Sequence, residues 1–526
     1  MRTRHSIRGG RCAVGLASVA LTLLAGCRVG PKYVAPKAVA PPEFKESSPA
    51  AYSAAPAGTW QPANPQDAAL KGKWWEMFHE LELNALEEQL NINNQNIAQY
   101  FQNFMAARAL VREARASYYP TLTTDPSYSR QRTPGTLRST GVTTGTTTGT
   151  GTTGTTGVAT SSGSTSTALS LPFDVSWEPD LWGKIRNTVR EYQNAAQVSA
   201  ADLENERLTE QADLAEYYFE LRGQDALQGI YDQTIDADRK ALNLTKALYE
   251  TGIDSDESVA QAEVTLQNAE EAGAGIATNR AIYEHAIATL IGKPASSFSL
   301  PVKELTTPVP AIPVGVPSQL LQRRPDIAAA ERTMSEANAL IGVEKAAYYP
   351  NLTLTGGGGL ESSTITSLFS GPALFWSLGA SAAETIFDGG LRRATVAQYT
   401  AQYNADTAAY RQTVLTAFQQ VEDYIATLRV TSAQIAQQDQ AVKSAQRYLD
   451  IATARYQTGL DPYLDVISAQ TTLLSDRQTQ VTLRVSEMTA AVQLVQALGG
   501  GWDVSQLPSA AKVTSSAAAR QVSTTP

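Results

Sequence analysis

One short motif occurs twice in this chain, and each copy separates two kinds of periodicity. Tyr118-Tyr119-Pro120 returns as Tyr348-Tyr349-Pro350, 230 positions later. Each copy ends a long polar, Ala-rich run and begins a run in which apolar and polar residues alternate, so a helical period gives way to a strand period. The proline marks the junction because the residue before it is pushed out of the helical region.

A second set of matches keeps a constant offset of 207 without a gap. The matching pairs are Gly183 and Gly390, Tyr217 and Tyr424, Leu221 and Leu428, Arg222 and Arg429, Tyr249 and Tyr456, and Gly252 and Gly459. The two offsets differ by 23, so the first copy carries 23 extra residues between Pro120 and Gly183. Self-similarity of this kind indicates one architectural unit present twice. We assign residues 61–320 to the first repeat and 321–502 to the second.

The overall composition excludes several classes of function. The net charge of −9 and the absence of a basic stripe argue against a nucleic-acid partner. No run reaches the roughly 18 apolar residues of a membrane helix. Three scattered histidines and two cysteines form no metal-binding pattern. We therefore predict no metal site and no cofactor, and because no nucleophile–base pair is apparent in the sequence, we predict no catalytic residues.

The N-terminus indicates export. Four arginines precede the apolar run Ala13–Leu24, which ends in Leu24-Ala25-Gly26-Cys27, so residues 1–26 are predicted to be a signal peptide. The ending resembles the bacterial lipobox, which implies a triacylated Cys27 as the mature N-terminus; a plain signal peptide cut near Ala25 is the alternative. Arg28 stands where an aspartate would suggest inner-membrane retention, so the resemblance points to the outer membrane. Residues 27–60, rich in Pro, Ala and Ser, are predicted to be an extended tether.

Helical periodicity predicts the same arrangement in both repeats. The predicted helices of the first repeat cover about 74–118, 183–248 and 255–291, and those of the second cover about 325–347, 391–455 and 463–498. The helix over 183–248 would be on the order of 100 Å long, whereas the return helix over 255–291 is about half that length. We therefore expect the helix over 74–118 to stack end to end with the return helix.

Alternating segments predict two strands in each repeat, over about 120–130 and 168–178 and over about 351–360 and 373–387. Apolar residues on one side and small polar residues on the other are typical of membrane β-barrel strands, but a half-buried sheet of a soluble protein alternates in the same way. Four strands cannot close a membrane barrel, so entry into a membrane would require several chains to share one barrel. The Thr/Gly-rich segment 136–166 is predicted to be a flexible loop, and 503–526 a disordered tail.

The chain resembles the TolC/OprM-like outer membrane efflux proteins, in the lipoprotein branch called NodT-like. The resemblance covers nearly all of residues 27–502 and is carried by Cys27-Arg28-Val29-Gly30-Pro31-Lys32-Tyr33, Trp177-Glu178-Pro179-Asp180-Leu181-Trp182-Gly183, Arg323-Arg324-Pro325-Asp326-Ile327 and Ile386-Phe387-Asp388-Gly389-Gly390. It implies a mainly α fold with a small β part. Duplicated helical hairpins would form a periplasmic α-barrel, and four strands from each chain of a homotrimer would form a twelve-stranded outer-membrane barrel.

The resemblance also implies a gate at the periplasmic tip, near the second hairpin turn. Asp465 lies in the first turn of the predicted helix, where it can stabilise the helix dipole or, in a trimer, form an aspartate ring that constricts the pore. Leu464 is a candidate apolar ring. Asp461, followed by proline, is predicted to cap the helix, and Ser468 stands where some relatives carry another aspartate. The residues expected at the adaptor-docking tips are Tyr249, Gly252, Tyr456, Gly459 and Leu460.

The leading hypothesis is therefore a passive outer-membrane exit duct for small molecules. It would receive energy from an inner-membrane pump through a periplasmic adaptor protein, and its other neighbour would be outer-membrane lipid. The alternative is a lipid-anchored periplasmic coiled-coil protein without a pore. The alternating strands favour the duct.

Overall fold

A computed structural model describes residues 29–36, 40–41, 44–47, 72–134, 164–312 and 317–515. The signal peptide, Cys27, most of the tether, most of the Thr/Gly-rich segment and residues 516–526 lie outside the described residues. The chain divides into two compact units. The sheet unit comprises Met1–Pro31, Arg112–Val189 and Ala339–Tyr399, and the helical unit comprises Lys32–Val111, Arg190–Asn338 and Thr400–Pro526.

The elements follow the predicted duplication. The α-helices are α1 (Leu81–Asn93), α2 (Gln95–Ala116), α3 (Lys184–Glu250), α4 (Asp256–Leu290), α5 (Pro317–Arg323), α6 (Pro325–Ala346), α7 (Leu391–Gln457), α8 (Tyr463–Ala497) and α9 (Ala510–Thr514). The strands are β1 (Thr121–Thr123), β2 (Ser127–Thr133), β3 (Ser164–Trp177), β4 (Asn351–Ser362) and β5 (Leu374–Ala383). The long helices α3 and α7 have 67 residues each, and their return helices α4 and α8 have 35 each. Within the described residues, no helix combines the length and the apolar character that crossing a membrane requires.

The sheet unit is built on one antiparallel sheet. β1 and β2 pair with the same side of β3, which pairs with β4, which pairs with β5. The predicted strand over 120–130 is therefore present but interrupted between Thr123 and Ser127, where Pro126 has no N–H to donate to a ladder.

The register gives the sheet one apolar and one polar face. On one face Phe173 lies opposite Gly358, which lies opposite Trp376. On the other face Asp174 and Ser377 flank Gly357. The apolar side chains are exposed, with Trp376 at 75%, which fits a face that is covered by something other than this sheet.

The repeated Tyr-Tyr-Pro motifs lie where helix gives way to strand, as predicted. Their backbone carbonyls accept hydrogen bonds from two indoles: Trp177 Nε1 donates to Tyr118 O at 3.0 Å, and Trp182 Nε1 donates to Pro350 O at 2.8 Å. The Trp182 ring also stacks on Tyr349 with centroids 4.8 Å apart. Both indoles thus fix a junction between a helix and the sheet.

The helix predicted over 74–118 is broken at Asn94. A 3₁₀ turn (Trp74–Phe78) precedes α1, and Asn94 has extended backbone between α1 and α2. Its side chain accepts a hydrogen bond from Ile97 N at 2.9 Å, so Asn94 caps the start of α2. It also donates to Leu290 O, the last residue of α4, at 3.0 Å. The start of α2 therefore meets the end of α4 at Asn94, as the predicted end-to-end stacking requires.

The helical unit has a continuous hydrophobic core that includes Trp74, Phe78, Leu83, Phe219 and Leu494. The Phe78 and Phe219 rings lie with centroids 5.1 Å apart. Aromatic and aliphatic burial of this kind is the main stabilising term for such helices, since their sequences are otherwise polar and Ala-rich.

A buried ion network lies beside that core. The Arg222 side chain is 2% exposed, and its guanidinium contacts Asp225 Oδ2 at 2.8 Å and Glu82 Oε2 at 2.5 Å. Asp225, itself fully buried, also accepts from Arg280 Nε at 2.7 Å. These pairs join α3 to α1 and α4.

Two segments for which the sequence predicted no packed structure, one near each end of the chain, contact the helices of the helical unit. In the N-terminal segment, Tyr33 Oη lies 2.6 Å from Glu331 Oε1, and Phe44 is 1% exposed. The prediction of a disordered tail from 503 onward is wrong for residues 503–515. There α9 follows the capping residue Ser509, and Val513 is buried. The tail is ordered because its few apolar and backbone groups find partners on the helical unit, including Arg108, which donates to Val513 O.

Candidate functional site at the two hairpin turns

Both hairpin turns are built in the same way, and both lie in the helical unit. Gly252 and Gly459 have φ values of +75° and +72°, in the left-handed region that favours glycine. The Gly252 N–H donates to Tyr249 O at 2.8 Å, and the Gly459 N–H donates to Tyr456 O at 2.9 Å. The Tyr-x-x-Gly pattern therefore forms a helix C-cap in each repeat, as predicted.

The return helices begin differently. Ser255 caps α4 by accepting from Ser258 N at 3.3 Å. Asp461 was predicted to cap α8, and that prediction is wrong: the capping position is Pro462, without a side-chain hydrogen bond. The Asp461 carboxylate instead binds the Arg455 guanidinium through Nε and through Nη2, the latter at 2.8 Å. This hydrogen-bonded pair lowers the pKa of Asp461, and it forms because a charged fork offers the carboxylate more than one N–H.

The second turn is tied to the first by Tyr456. Its side chain is 6% exposed, and its hydroxyl lies 2.6 Å from Asp254 Oδ2 and 3.1 Å from Thr245 Oγ1. Burial, and after it the hydrogen bond to Asp254, raise the pKa of Tyr456 to about 12, so the hydroxyl keeps its proton and donates it to the carboxylate. Tyr456 was expected at an adaptor-docking tip; it lies in that turn, and its side chain is buried against the first turn.

An apolar cluster lies beneath this tie. Tyr463 is 2% exposed, its ring centroid lies 5.2 Å from that of Tyr456, and it packs with Leu242, Val259 and Val466. Asp238, which is also buried, has its pKa raised to about 6 by the loss of solvation. The two turns therefore share one small core.

The other predicted site residues lie at the surface of the same turns. Leu460 and Leu464 are 70% and 60% exposed, Tyr249 is 47% exposed, and Ser468 is exposed. Asp465 is half-buried in the first turn of α8. The structure thus groups the predicted gate residues on one short stretch and leaves their side chains available to face another molecule.

The pairing of Tyr456 with Asp254 was not predicted from the sequence. A signal for it is present, because both turns carry the pattern Tyr-x-x-Gly-x-Asp, at Tyr249 to Asp254 and at Tyr456 to Asp461. The pattern does not show which tyrosine meets which aspartate. Among the described residues, no group of three or more His, Cys, Asp or Glu side chains could hold a metal ion.

Comparison with known proteins decides the family. The model of the family described as "Outer membrane efflux protein" matches residues 86–293 and 316–500. This chain belongs to the outer membrane efflux protein family.

Relatives agree with that membership over nearly the whole length. The antibiotic efflux pump outer membrane protein ArpC of Pseudomonas putida is 30% identical over 492 residues, which cover 93% of this chain and 96% of ArpC. The toluene efflux pump outer membrane protein TtgC of Pseudomonas putida is 29% identical over the same length and coverage. Among solved structures, the outer-membrane channel OprN superimposes with a TM-score of 0.78 at 25% identity, over 90% of this chain and 100% of that one.

Membership in the outer membrane efflux protein family confirms the resemblance drawn from the sequence, together with the fold class and the outer-membrane location. It also confirms that the chain is an outer-membrane efflux channel component, and it gives no support to the alternative of a coiled-coil protein without a pore. The family consists of transport channels, so the hairpin turns are considered below as parts of a conduit.

Proposed function

We propose that three copies of this chain form a passive exit duct for small molecules, gated at its periplasmic tip. The observation that carries the proposal is the sheet, which has an apolar and a polar face. In the described chain, β5 and the β1/β2 strand each pair on one side only. Open edges are not tolerated in lipid because each unpaired backbone group costs several kcal/mol there. Pairing between copies supplies the missing partners.

The duct carries out no chemistry of its own in this proposal. Energy comes from an inner-membrane pump, and a periplasmic adaptor docks at the exposed tip residues, Tyr249, Leu460 and Leu464 among them. ArpC and TtgC are named for antibiotics and toluene, which differ widely in polarity. That spread favours a duct whose pump selects the substrate.

The proposal is tested by the mass of the detergent-solubilised protein and by conductance in planar bilayers. A trimer with single-channel conductance is expected. A monomer without conductance would overturn the proposal. The substrate class is tested separately by deleting the gene and measuring sensitivity to a panel of toxic compounds; unchanged sensitivity to every compound would refute a role in efflux.

We also propose that Cys27 carries the lipid anchor. The support is the Leu24-Ala25-Gly26-Cys27 sequence. Several acyl chains on one residue give a stable anchor, whereas a single chain binds only marginally. Fatty-acid labelling should be lost in Cys27→Ser, and unchanged labelling of that variant would refute the assignment.

A further inference from the structure

The sheet unit contains an amphipathic cavity at the junction of helix and strand. Its volume is about 390 Å³, within the range of roughly 300–1,000 Å³ typical of ligand sites. Trp182, Tyr349 and Leu352 contribute apolar surface, and Lys184 and Thr385 contribute polar groups. The stack of Trp182 on Tyr349 and the hydrogen bond from Trp182 Nε1 to the Pro350 carbonyl hold the apolar wall in place.

The N-terminal segment is fixed beside this cavity. The Val29 N–H donates to the carbonyl of Trp182 at 3.1 Å, and the Val29 carbonyl accepts from Nδ2 of the fully buried Asn187 at 3.1 Å. Gly30 has a φ of +124°, and a Cβ there would lie only 2.8 Å from the Cα of Gly342. Val29 and Gly30 are therefore held in one position by two hydrogen bonds and by a close backbone contact that only glycine permits.

The fixed position of Val29 limits where Cys27 can be. Cys27 precedes Val29 by two residues, and two residues span at most about 7 Å. Any group attached to Cys27 therefore starts within a short distance of the backbone of Trp182, which lines the cavity.

We propose that the cavity holds the lipid-modified Cys27 of the same chain. The ester and amide linkages of the lipid lie against the polar groups, and the first carbons of an acyl chain lie against Trp182, Tyr349 and Leu352. This placement rests on the acylation of Cys27 proposed above. It makes the lipid a packed part of the helix–sheet junction as well as an anchor, because the lipid fills space that the side chains leave open.

The test is photochemical capture in outer membranes from cells that express the full chain. A photoreactive benzoylphenylalanine replaces Ala347, which lines the cavity and is exposed. After irradiation and digestion, mass spectrometry should find the peptide of position 347 joined to the N-terminal lipopeptide. The same substitution at Leu378, which lies on the apolar face of β5 and is 81% exposed, is the matched control and should capture phospholipid instead.

Capture of phospholipid alone at position 347, or of a peptide from another part of a second copy, would overturn the placement. The mass of the N-terminal peptide shows whether Cys27 is acylated, so it distinguishes a failure of the acylation proposal from a failure of the placement. An acylated Cys27 without capture refutes only the placement, whereas an unmodified Cys27 refutes both. As a second measurement, Thr385→Trp narrows the cavity and should remove most of the captured lipopeptide while leaving acylation intact. Ala380→Trp, at an exposed position of β5 that neither lines the cavity nor lies opposite a lining residue, should leave the capture unchanged.

Discussion

The hydrogen bond between the two hairpin turns offers a test of the gating proposed for the tip. Tyr456→Phe removes one hydroxyl and keeps the ring, so the contact with Tyr463 at 5.2 Å between centroids remains. The variant loses the bond to Asp254 Oδ2 at 2.6 Å and the contact with Thr245 Oγ1 at 3.1 Å. Because these contacts join the second hairpin to the first, separating the hairpins must break them.

The expected size of the effect follows from the chemistry of the bond. A hydrogen bond to a charged group contributes about 1.5–3 kcal/mol. Since 1.4 kcal/mol is tenfold in an equilibrium constant, Tyr456→Phe should shift the balance toward separated hairpins by roughly 10- to 100-fold. Asp254 keeps the bond from its neighbour Ser255 N at 2.7 Å, which places the effect toward the lower end of that range.

The pH dependence of this bond has a definite sign. Burial raises the pKa of Asp254, but hydrogen bonds from Tyr456, Ser258 and the Ser255 N–H outweigh burial and leave the pKa lowered. A carboxyl group with a lowered pKa stabilises the folded arrangement above its unfolded pKa of about 3.9, and that contribution is lost as the pH falls through the lowered value. In the wild type, the hydrogen bond from Tyr456 to Asp254 should therefore persist at neutral pH and weaken only below about pH 4.

Single-channel recording in planar bilayers measures the outcome. Tyr456→Phe should show a higher open probability than the wild type at pH 7. Tyr249→Phe is the matched control, because Tyr249 is the counterpart in the first repeat and its side chain is exposed. Equal open probability in the Tyr456→Phe variant and the wild type, or an equal increase in both variants, would refute the role assigned to this bond.

Three further outcomes are expected. Asp465→Ala should raise conductance or lower cation preference in planar bilayers, because a carboxylate ring favours cations; no change in either would leave Asp465 with its helix role alone. Arg222→Met should lower the unfolding free energy by about 3 kcal/mol, since it removes one of the two arginine partners of the buried Asp225, which keeps Arg280. The exposed Lys240→Met should change the unfolding free energy by about 0–1 kcal/mol, and equal losses would contradict the burial argument. Asp238→Asn should stabilise the protein at pH 7 by up to about 3 kcal/mol and abolish the gain in stability otherwise seen as pH falls from 6 toward 4, a gain that thermal melts across pH would detect.

Much of the fold was predictable because the same architectural unit occurs twice in the sequence. The offsets of 207 and 230 located both long helices, both turns and all four predicted strands to within a few residues. Glycine at the two turns was sufficient to identify them, since the left-handed C-cap strongly prefers glycine. Alternation gave the two faces of the sheet correctly, although it did not decide between lipid and a soluble core as the covering of the apolar face.

The features that the sequence did not predict depend on side chains whose hydrogen-bond partners are distant in sequence. Asn94 is an ordinary polar residue within a helical pattern, and it breaks the helix because Leu290 and Glu210, both far along the chain, accept from its amide. In the same way, Arg108 and Gln197 hold residues 503–515 by donating hydrogen bonds to the carbonyls of Val513 and Pro508. Local periodicity cannot report such contacts, because a single side chain in a polar run leaves the hydrophobic pattern unchanged.

The two turns also show how a duplicated motif can acquire two roles. Each carries Tyr-x-x-Gly-x-Asp, yet only Tyr456 is buried against an aspartate of the other turn, whereas Tyr249 is exposed. The residue before the tyrosine accounts for part of the difference. The second repeat has Arg455 there, and it binds Asp461, whereas the first repeat has Leu248, so Asp254 is left to accept from Tyr456. The difference between Leu248 and Arg455 thus pairs Asp461 with an arginine. It leaves Asp254 to accept from Tyr456, and this bond joins the two hairpins.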